Sequence, residues 1–560
     1  MQPQCIKVSA NTELLEKILA HRNVTGGFDS VQQLANLQNP ELLTNADKAC
    51  VLLHTALTQQ QQITIVGDYD ADGATATALM VRALADFGFH KVDYIVPNRM
   101  TDGYGLTEAL LPKIVAKHTD LVITVDNGIT SHKAIEQLRE QHIEVIVTDH
   151  HLAGEQLPMA SAIVNPNIET EHPLKNLAGV GVAYYLLLCL RKYLRQIDYF
   201  ANREQPNLLQ YIDLVALGTI ADLVSLDANN RLICYQGLQL LRQNRGNIGM
   251  QVLYQRRSSA HISLISSEDI AFKLSPAINA AGRLEDISIG IQLLTTNDID
   301  KAQFLAEQLV DINRQRKTIQ KQGIEQALLQ IEQSIAEQPN ALFLEHCHQG
   351  VVGLVASKIV EKTGHPTIVI TTKETDKSIL VGSARSVAGL HIRDVLVAVS
   401  RIAPGLLLQF GGHAMAAGLT LKADNLQAFQ QQFMLVCQSE SYRPQRTHWQ
   451  AEIDITANDL TLDKALALQA MVWGQGFAKP IFKLQLAVTN VQILYEKHIK
   501  WYLKLQNKPI QAISFDMEPS QLQLSQTVKK IAAYFYIDVN QFRDTLQLQL
   551  QIVSFQKLKP

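Results

Sequence analysis

The sequence predicts an α/β architecture: a parallel-sheet domain and a smaller α/β domain joined by a long helix, with a small OB-like β-barrel at the C-terminus. Three observations carry this. From Ile63, short β-branched runs alternate with amphipathic helical segments. The stretch Gln303–Gln333 is long, polar along one side and free of glycine except Gly323, the pattern of an extended connecting helix. Beyond Trp449 apolar residues recur at period two, as in Phe482–Leu486 and Leu546–Leu550, which reads as strands of a barrel.

In chain order, residues 1–45 carry helical patterning around Leu14, Leu15, Ile18 and Leu19 and are expected to form a helical extension. Ala46–Leu57 leads into a strand at Ile63–Val66. A helix over Ala74–Phe87, a strand at Val92–Val96 and a helix over Glu108–Lys117 follow. Leu121–Val125 and Glu144–Thr148 repeat the strand pattern with a helix between them. Residues 180–330 are almost wholly helical in pattern. Their apolar run Val182–Leu190 is far too short to span a membrane and reads as a buried helix. A second α/β segment has a strand at Ala341–Leu344, a helix over Val352–Thr363 and a strand at Thr367–Thr371. Glycine-rich loops are expected up to Gly418, then Gln-rich helix to about Ser441 and a boundary loop at Tyr442–Pro444. Glu452–Ile455 then opens the period-two alternation. The expected divisions are 1–45, a catalytic domain 46–300, a connecting helix 301–335, a second α/β domain 336–440 and a barrel 445–560.

At 560 residues, with 47% hydrophobic and 18% charged residues, the chain has an ordinary globular composition and room for several domains. The N-terminus shows no secretory pattern. Six cysteines are scattered without a Cys-x-x-Cys pair, which fits buried thiols in a reducing cytoplasm and excludes a zinc-thiolate site. A net charge of -3 gives no global attraction to nucleic acid, although a local basic channel remains open to it.

The chemistry gathers at strand ends. Ile63–Val66 runs into Gly67-Asp68-Tyr69-Asp70-Ala71-Asp72-Gly73, Leu121–Val125 into Asp126-Asn127-Gly128, and Val145–Thr148 into Asp149-His150-His151. Ligands bind at the carboxyl ends of parallel strands, so these loops should share one rim. Asp222, at the end of the run Leu217–Leu223, is a fourth candidate. Converging carboxylates repel, and burying them without compensation is expensive, so a divalent metal resolves the conflict. Carboxylate and imidazole ligands suit Mn²⁺, then Mg²⁺, with Zn²⁺ possible. The ligand count exceeds the need of one ion and points to two divalent cations about 3.5–4 Å apart. A calcium loop over Asp68–Gly73 is rejected, because position 79 is Leu79 where that loop needs Glu, and a strand precedes it.

GDYDADG, TVDNGI, VTDHH and GTIADLV, in that order, resemble the four motifs of the DHH phosphoesterase superfamily. The resemblance extends to Ser275–Arg283, His348–Gly353 and Gly382–Ser386, and Gly411–Gly418 resembles the signature of the associated DHHA1 domain. With the C-terminal barrel, the set resembles the superfamily's single-strand-specific 5′→3′ DNA exonucleases. It implies metal ligands at Asp70, Asp72, Asp126, His150 and Asp222, with Asp126 bridging and Asp68 a weaker candidate. It implies phosphate contacts from Arg99, Arg283, His348, Lys358, Ser383, Arg385 and His413. Catalytic roles fall to Arg385, His413 and His151, the last either orienting its neighbour or touching the scissile phosphate. Gly411 and Gly412 beside His413 allow close backbone approach to a ligand. Two departures are Cys347, where the family carries Trp, and Phe477-Ala478, where it carries Gly-Asn.

The implied reaction is two-metal hydrolysis of phosphodiesters on single-stranded DNA in recombination and repair. A channel between the α/β domains would be too narrow for duplex. A single-strand-binding protein and a RecQ-type helicase are the partners implied, and the chain is expected to be monomeric. Residues 449–560 hold 12 Lys/Arg against 9 Asp/Glu, and with Lys500, Trp501 and Tyr502 this is compatible with a barrel that binds oligonucleotides, although the aromatics could equally fill its core. The alternatives are a phosphoesterase of short oligonucleotides or cyclic dinucleotides, and a silent DNA-binding scaffold.

Overall fold

The computed structural model describes residues 13–333, 339–440, 449–506, 508–542 and 545–558. Cys5, positions 334–335 of the expected connecting helix and the expected boundary loop Tyr442–Pro444 lie outside them. The described residues fall into two compact units. One takes in residues up to Gly282, Asp286–Val310 and those from Trp449 onward; the other takes in Arg283–Glu285 and residues from Asp311 to 440.

The first unit is built on a parallel sheet of β1 (Ile63–Val66), β2 (Val92–Ile95), β3 (Leu121–Val125), β4 (Glu144–Thr148) and β5 (Ala162–Val164), in the order β2-β1-β3-β4-β5. Strands β1 and β3 are buried along their whole length, as their continuous β-branched runs require. Alternate residues serve two cores. Ile63, Ile65, Ile123 and Ile146 pack with the helices Ala46–Gln59, Ala71–Phe87 and Gly179–Gln196, whereas Val66, Val122, Val145 and Val147 pack with Ile114, Ile135 and Leu138. Strand order reverses between β1 and β3, so the crevice of the sheet opens at their carboxyl ends.

Helix Ile299–Gln333 begins in the first unit and ends in the second. The second unit holds a mixed sheet of β6 (Asn340–Phe343), β7 (Thr367–Lys373), β8 (Asp376–Arg385), β9 (Gln409–Gly412) and β10 (Ala416–Lys422), ordered β6-β7-β8-β10-β9, with only β6 and β7 parallel. The glycine-rich loops expected up to Gly418 are therefore largely regular structure, with strands β8, β9 and the start of β10 and a helix at Ile392–Ile402. Glycine acts here as a spacer: a Cβ at Gly382 would lie 3.1 Å from Ile370 and 3.2 Å from Leu419 on the flanking strands.

Strands β11 (Phe482–Leu494), β12 (His498–Leu505), β13 (Lys508–Ser514), β14 (Lys530–Phe542) and β15 (Thr545–Lys557) close a barrel in the order β11-β12-β13-β15-β14. One expectation is corrected, and one open alternative is decided. Glu452–Ile455 is not a strand, and a helix, Leu462–Ala470, precedes the barrel. Trp501 is no surface platform: it is wholly buried, with its indole N–H donating to Ser514 Oγ at 2.9 Å. The barrel is stitched to the parallel-sheet core. Arg242 donates to the Ile265 and Ala470 carbonyls, Ser267 Oγ and Trp473 exchange hydrogen bonds, and Arg22 grips Glu452 at 2.5 and 2.6 Å. Cys50, Cys189, Cys234, Cys347 and Cys437 are buried free thiols. Among the described residues no helix is long and apolar enough to cross a membrane.

Candidate metal centre

Each candidate ligand is set by local backbone geometry. After β1, Asp70 is extended and its Oδ1 accepts the Asp72 and Gly73 N–H groups at 2.9 and 3.0 Å, so helix Ala71–Phe87 starts three residues before the apolar pattern does. Asn279 accepts the Ala71 N–H at 2.8 Å. Gly282, one turn on, allows the Tyr69 carbonyl to approach, since a Cβ there would lie 1.8 Å from its oxygen. Asp72 points the other way and accepts the Gly179 and Val180 N–H groups at the start of helix Gly179–Gln196, where backbone donors lack helical partners.

Asp126 follows β3 in the left-handed region (φ 61°), a conformation that Asp and Asn tolerate better than most residues. Gly179 closes over it, and a Cβ at that glycine would lie 2.5 Å from Asp126 Cβ. After β4, Asp149 accepts from the N–H groups of Ile129, His150 and His151, and pairs with His151 Nδ1 at 2.7 Å. It shapes the turn and leaves coordination to its neighbours. His150 Nε2 faces Asp126 Oδ1 at 3.1 Å and Asp222 Oδ2 at 3.5 Å. Asp222 caps the C-terminus of helix Ile212–Ala221.

The ligand atoms fall into overlapping groups within 4.8 Å of one another: Asp72, His150 and Asp222; Asp68, Asp70 and Asp126; and Asp126, His150 and His151. Asp126 and His150 join the sets. Asp68, the weaker candidate on sequence grounds, shares a group with Asp70 and Asp126.

Burial and mutual repulsion dominate the electrostatics. They hold Asp68 and Asp126 well above the carboxylate range, and push Asp72 to about 7 and Asp222 to about 8. Burial, then the charge of His151, lowers His150 to about 4, which leaves a neutral imidazole suited to coordination. Burial opposes the charge on both members of the next pair. The bond between them nonetheless lowers Asp149 and raises His151 to about 9. Asp68 Oδ1, Asp126 Oδ1 and His150 Nε2 are buried and accept no hydrogen bond. Unpartnered lone pairs converging among repelling carboxylates fit divalent cations.

Arg99 lies beside the cluster, with its guanidinium 4.2 Å above the Tyr69 ring and its charge felt by Asp68. The remaining phosphate candidates belong to the second unit. Arg385 donates to Ser357 Oγ, Ser383 Oγ and the Ala384 carbonyl. Register sets it opposite Ala416, whose carbonyl accepts the N–H of the exposed His413. Arg283 donates to the Gly350 carbonyl, and His348 Nδ1 accepts the Gly350 N–H. Lys358 is spent on an exposed ion pair with Glu361 at 2.7 Å.

Sequence reasoning missed Tyr104. Its hydroxyl lies 3.2 Å from both the Asp126 carbonyl and His151 Nε2, which completes a chain Asp149–His151–Tyr104. Burial and the charges of Asp68 and Asp126 push its phenol upward. The available signal was the flanking pair Gly103 and Gly105, both at positive φ. Ser357 was also missed, because nothing local marks a helix serine as the partner of a distant arginine.

The DHH family, N-terminal domain, model matches residues 62–219, the DHHA1 domain model residues 340–439, and the RecJ OB domain model residues 451–554. The chain is 40% identical to the single-stranded-DNA-specific exonuclease RecJ of Dickeya dadantii (strain 3937), over 96% of this chain and 95% of that one. Two crystal structures of RecJ from Thermus thermophilus resemble it. The complex with Mn²⁺ gives a TM-score of 0.75 at 28% identity, covering 92% of this chain and 72% of that one. The complex with Mg²⁺ gives 0.71 at 26%, covering 97% and 74%. With three domain models in order and a near full-length relative at this identity, the chain belongs to the RecJ family of DHH phosphoesterases.

Proposed function

We infer that this chain is a metal-dependent, single-stranded-DNA-specific exonuclease that hydrolyses phosphodiesters from the 5′ end, in recombination and repair. The observation that carries the reading is the cluster of Asp68, Asp70, Asp72, Asp126, His150 and Asp222, with its unpartnered lone pairs. Those six residues would hold two divalent cations, Mn²⁺ first and Mg²⁺ second. Bound there, such ions supply Lewis-acid activation of water and neutralise charge at the phosphoryl group.

The chain's own groups supply the rest. Asp149 and Tyr104 fix the His151 ring, which positions its neighbour His150. Arg99, Arg283, His348, Ser383, Arg385 and His413 bind phosphates, with Arg385 and His413 countering transition-state charge. The divisions 46–300, 336–440 and 445–560 would correspond to cleavage, phosphate grip and strand binding. The same reading makes the cytoplasm its location, a monomer its state, and a single-strand-binding protein and a RecQ-type helicase its partners.

The test is single-stranded DNA labelled separately at each end, incubated with the chain and Mn²⁺ beside duplex and a dinucleotide. Mononucleotide released first from the 5′ label, on single strands only, is expected. Cleavage of the dinucleotide alone would replace this reading with a small-substrate phosphoesterase.

A further inference from the structure

Phe477, where the family carries glycine, holds two guanidiniums in the first unit. Its ring stacks on Trp473, with Arg22 4.5 Å and Arg231 4.3 Å from the ring centre. The two cations are not equally provided for. Arg22 is neutralised by Glu452. Arg231 is 9% exposed and forms no ion pair among the described residues. Its Nη1 donates to the Leu226 carbonyl at 2.8 Å, and its Nε is walled off without a partner. Nη2 is neither walled off nor hydrogen-bonded among the described residues, so it is the donor left over. Burial holds this guanidinium below its ordinary pKa, opposed by the charge of Asp227 and reinforced by that of Arg22. The Asp227 carboxylate is itself occupied, accepting from the Asn230 N–H and from Asn176 Nδ2 at 2.9 and 3.0 Å.

Arg231 lines an open cavity of about 1010 Å³. Ala228 lines it too, as the first residue of the helix Ala228–Arg242. The N–H groups of a first helical turn lack helical acceptors and carry the positive end of the helix dipole. Asn23, Thr25, Ser30, Gln33 and Asn36 add amides and hydroxyls, and no described carboxylate lines the space. A desolvated guanidinium without a counter-ion is costly, and a bound anion offsets that cost. A guanidinium beside a helix N-terminus is phosphate-binding chemistry. The volume leaves room for a sugar and a base as well.

We propose that this cavity is a phosphate site separate from the metal centre, taking a nucleotide phosphate on Arg231 Nη2 while the neutral wall meets the sugar and base. None of the six metal candidates lines it. The choice of ligand rests on the nuclease reading above, which supplies two sources of the same group: the released mononucleotide and the backbone of the bound strand.

The test uses the full chain in chelator, so that no strand is cut. In hydrogen exchange of the wild type, inorganic phosphate and a deoxynucleoside 5′-monophosphate should slow exchange over residues 22–26 and 228–232. By calorimetry, nucleotide affinity should fall about tenfold in Arg231→Gln, the size of one charge-assisted hydrogen bond, and Arg231→Lys should restore part of it. Oligodeoxynucleotides with one neutral methylphosphonate linkage, moved along the strand, test the backbone. A register at which the wild type loses about tenfold and Arg231→Gln loses nothing would assign the site to the strand; Arg231-dependent binding of the nucleotide alone would assign it to the product. Exchange unchanged at both segments by every probe, or an Arg231→Gln variant that binds all of them as the wild type does, would overturn the proposal. So would a glutamate-rich peptide that protects 228–232 where phosphate, nucleotide and strand do not. Protection by phosphate without cleavage of any strand once Mn²⁺ is added would keep the phosphate site and sink the nuclease reading.

Discussion

The carboxyl rim of the parallel sheet and the β8–β10 edge of the mixed sheet handle charge in opposite ways. At the rim, burial and neighbouring carboxylates raise the proton affinity of Asp68, Asp72, Asp126 and Asp222, and buried lone pairs have no donor. At the other edge, Arg385 donates to two hydroxyls and a carbonyl, neutral acceptors that orient its guanidinium. The rim is costly for the protein alone and is relieved by cations. The edge is preorganised at rest. A cluster of repelling carboxylates can therefore be recognised by its unrelieved cost, whereas an arginine held by neutral acceptors shows only as order.

Asp126→Asn would break the comparison most completely. Asparagine tolerates the left-handed backbone and removes one ionisable member of the buried cluster, so the metal-free variant should melt above the wild type while kcat falls by roughly three orders of magnitude. Calorimetry in chelator beside the cleavage assay checks both signs.

The rim also sets a pH dependence. Asp72 and Asp222 have folded pKa values of about 7 and about 8, above the carboxylate value of 3.8. The folded state then binds more protons than the unfolded state, and the slope of unfolding free energy with pH is negative. In chelator the first unit should lose stability between pH 6 and pH 8. With saturating Mn²⁺ the slope should reverse, because binding displaces those protons, and the melting temperature should rise at every pH in that range. A metal-free melting temperature that climbs with pH would contradict the account of the rim.

Arg385→Ala should cost about a hundredfold in kcat/KM, with Lys recovering only part because it lacks the fork that reaches Ser357 and Ser383 together. Tyr104→Phe removes the hydroxyl that contacts both His151 Nε2 and the Asp126 carbonyl and should cost about five- to tenfold in kcat at unchanged KM. Lys358→Ala should change either constant less than about twofold, since its exposed pair with Glu361 contributes little.

Much of this was legible in the sequence, for identifiable reasons. Buried parallel strands read as unbroken β-branched runs, and β3 was placed to the residue. The six metal candidates could be read because each follows a strand or ends a helix. Strands β8 to β10 were hidden because glycine ordinarily marks turns, whereas Gly382 is required by the side chains of β7 and β10. Glu452–Ile455 alternates like a strand, but its neighbours, Arg22 among them, come from the far end of the chain. Tyr104 and Ser357 are invisible for the same reason: their partners lie elsewhere in the sequence.

The stitching of the barrel to the parallel-sheet core bears on how the protein is made. The ion pair Arg22–Glu452 joins residues 430 positions apart, and the Leu462–Ala470 helix packs on the Glu13–His21 helix. The second unit is nearly continuous in sequence and lies between those two halves. On a ribosome, residues 311–440 can collapse as soon as they emerge, while the first unit waits with an open seam until the barrel has been translated. A nascent chain stalled before Trp449 would leave that seam open.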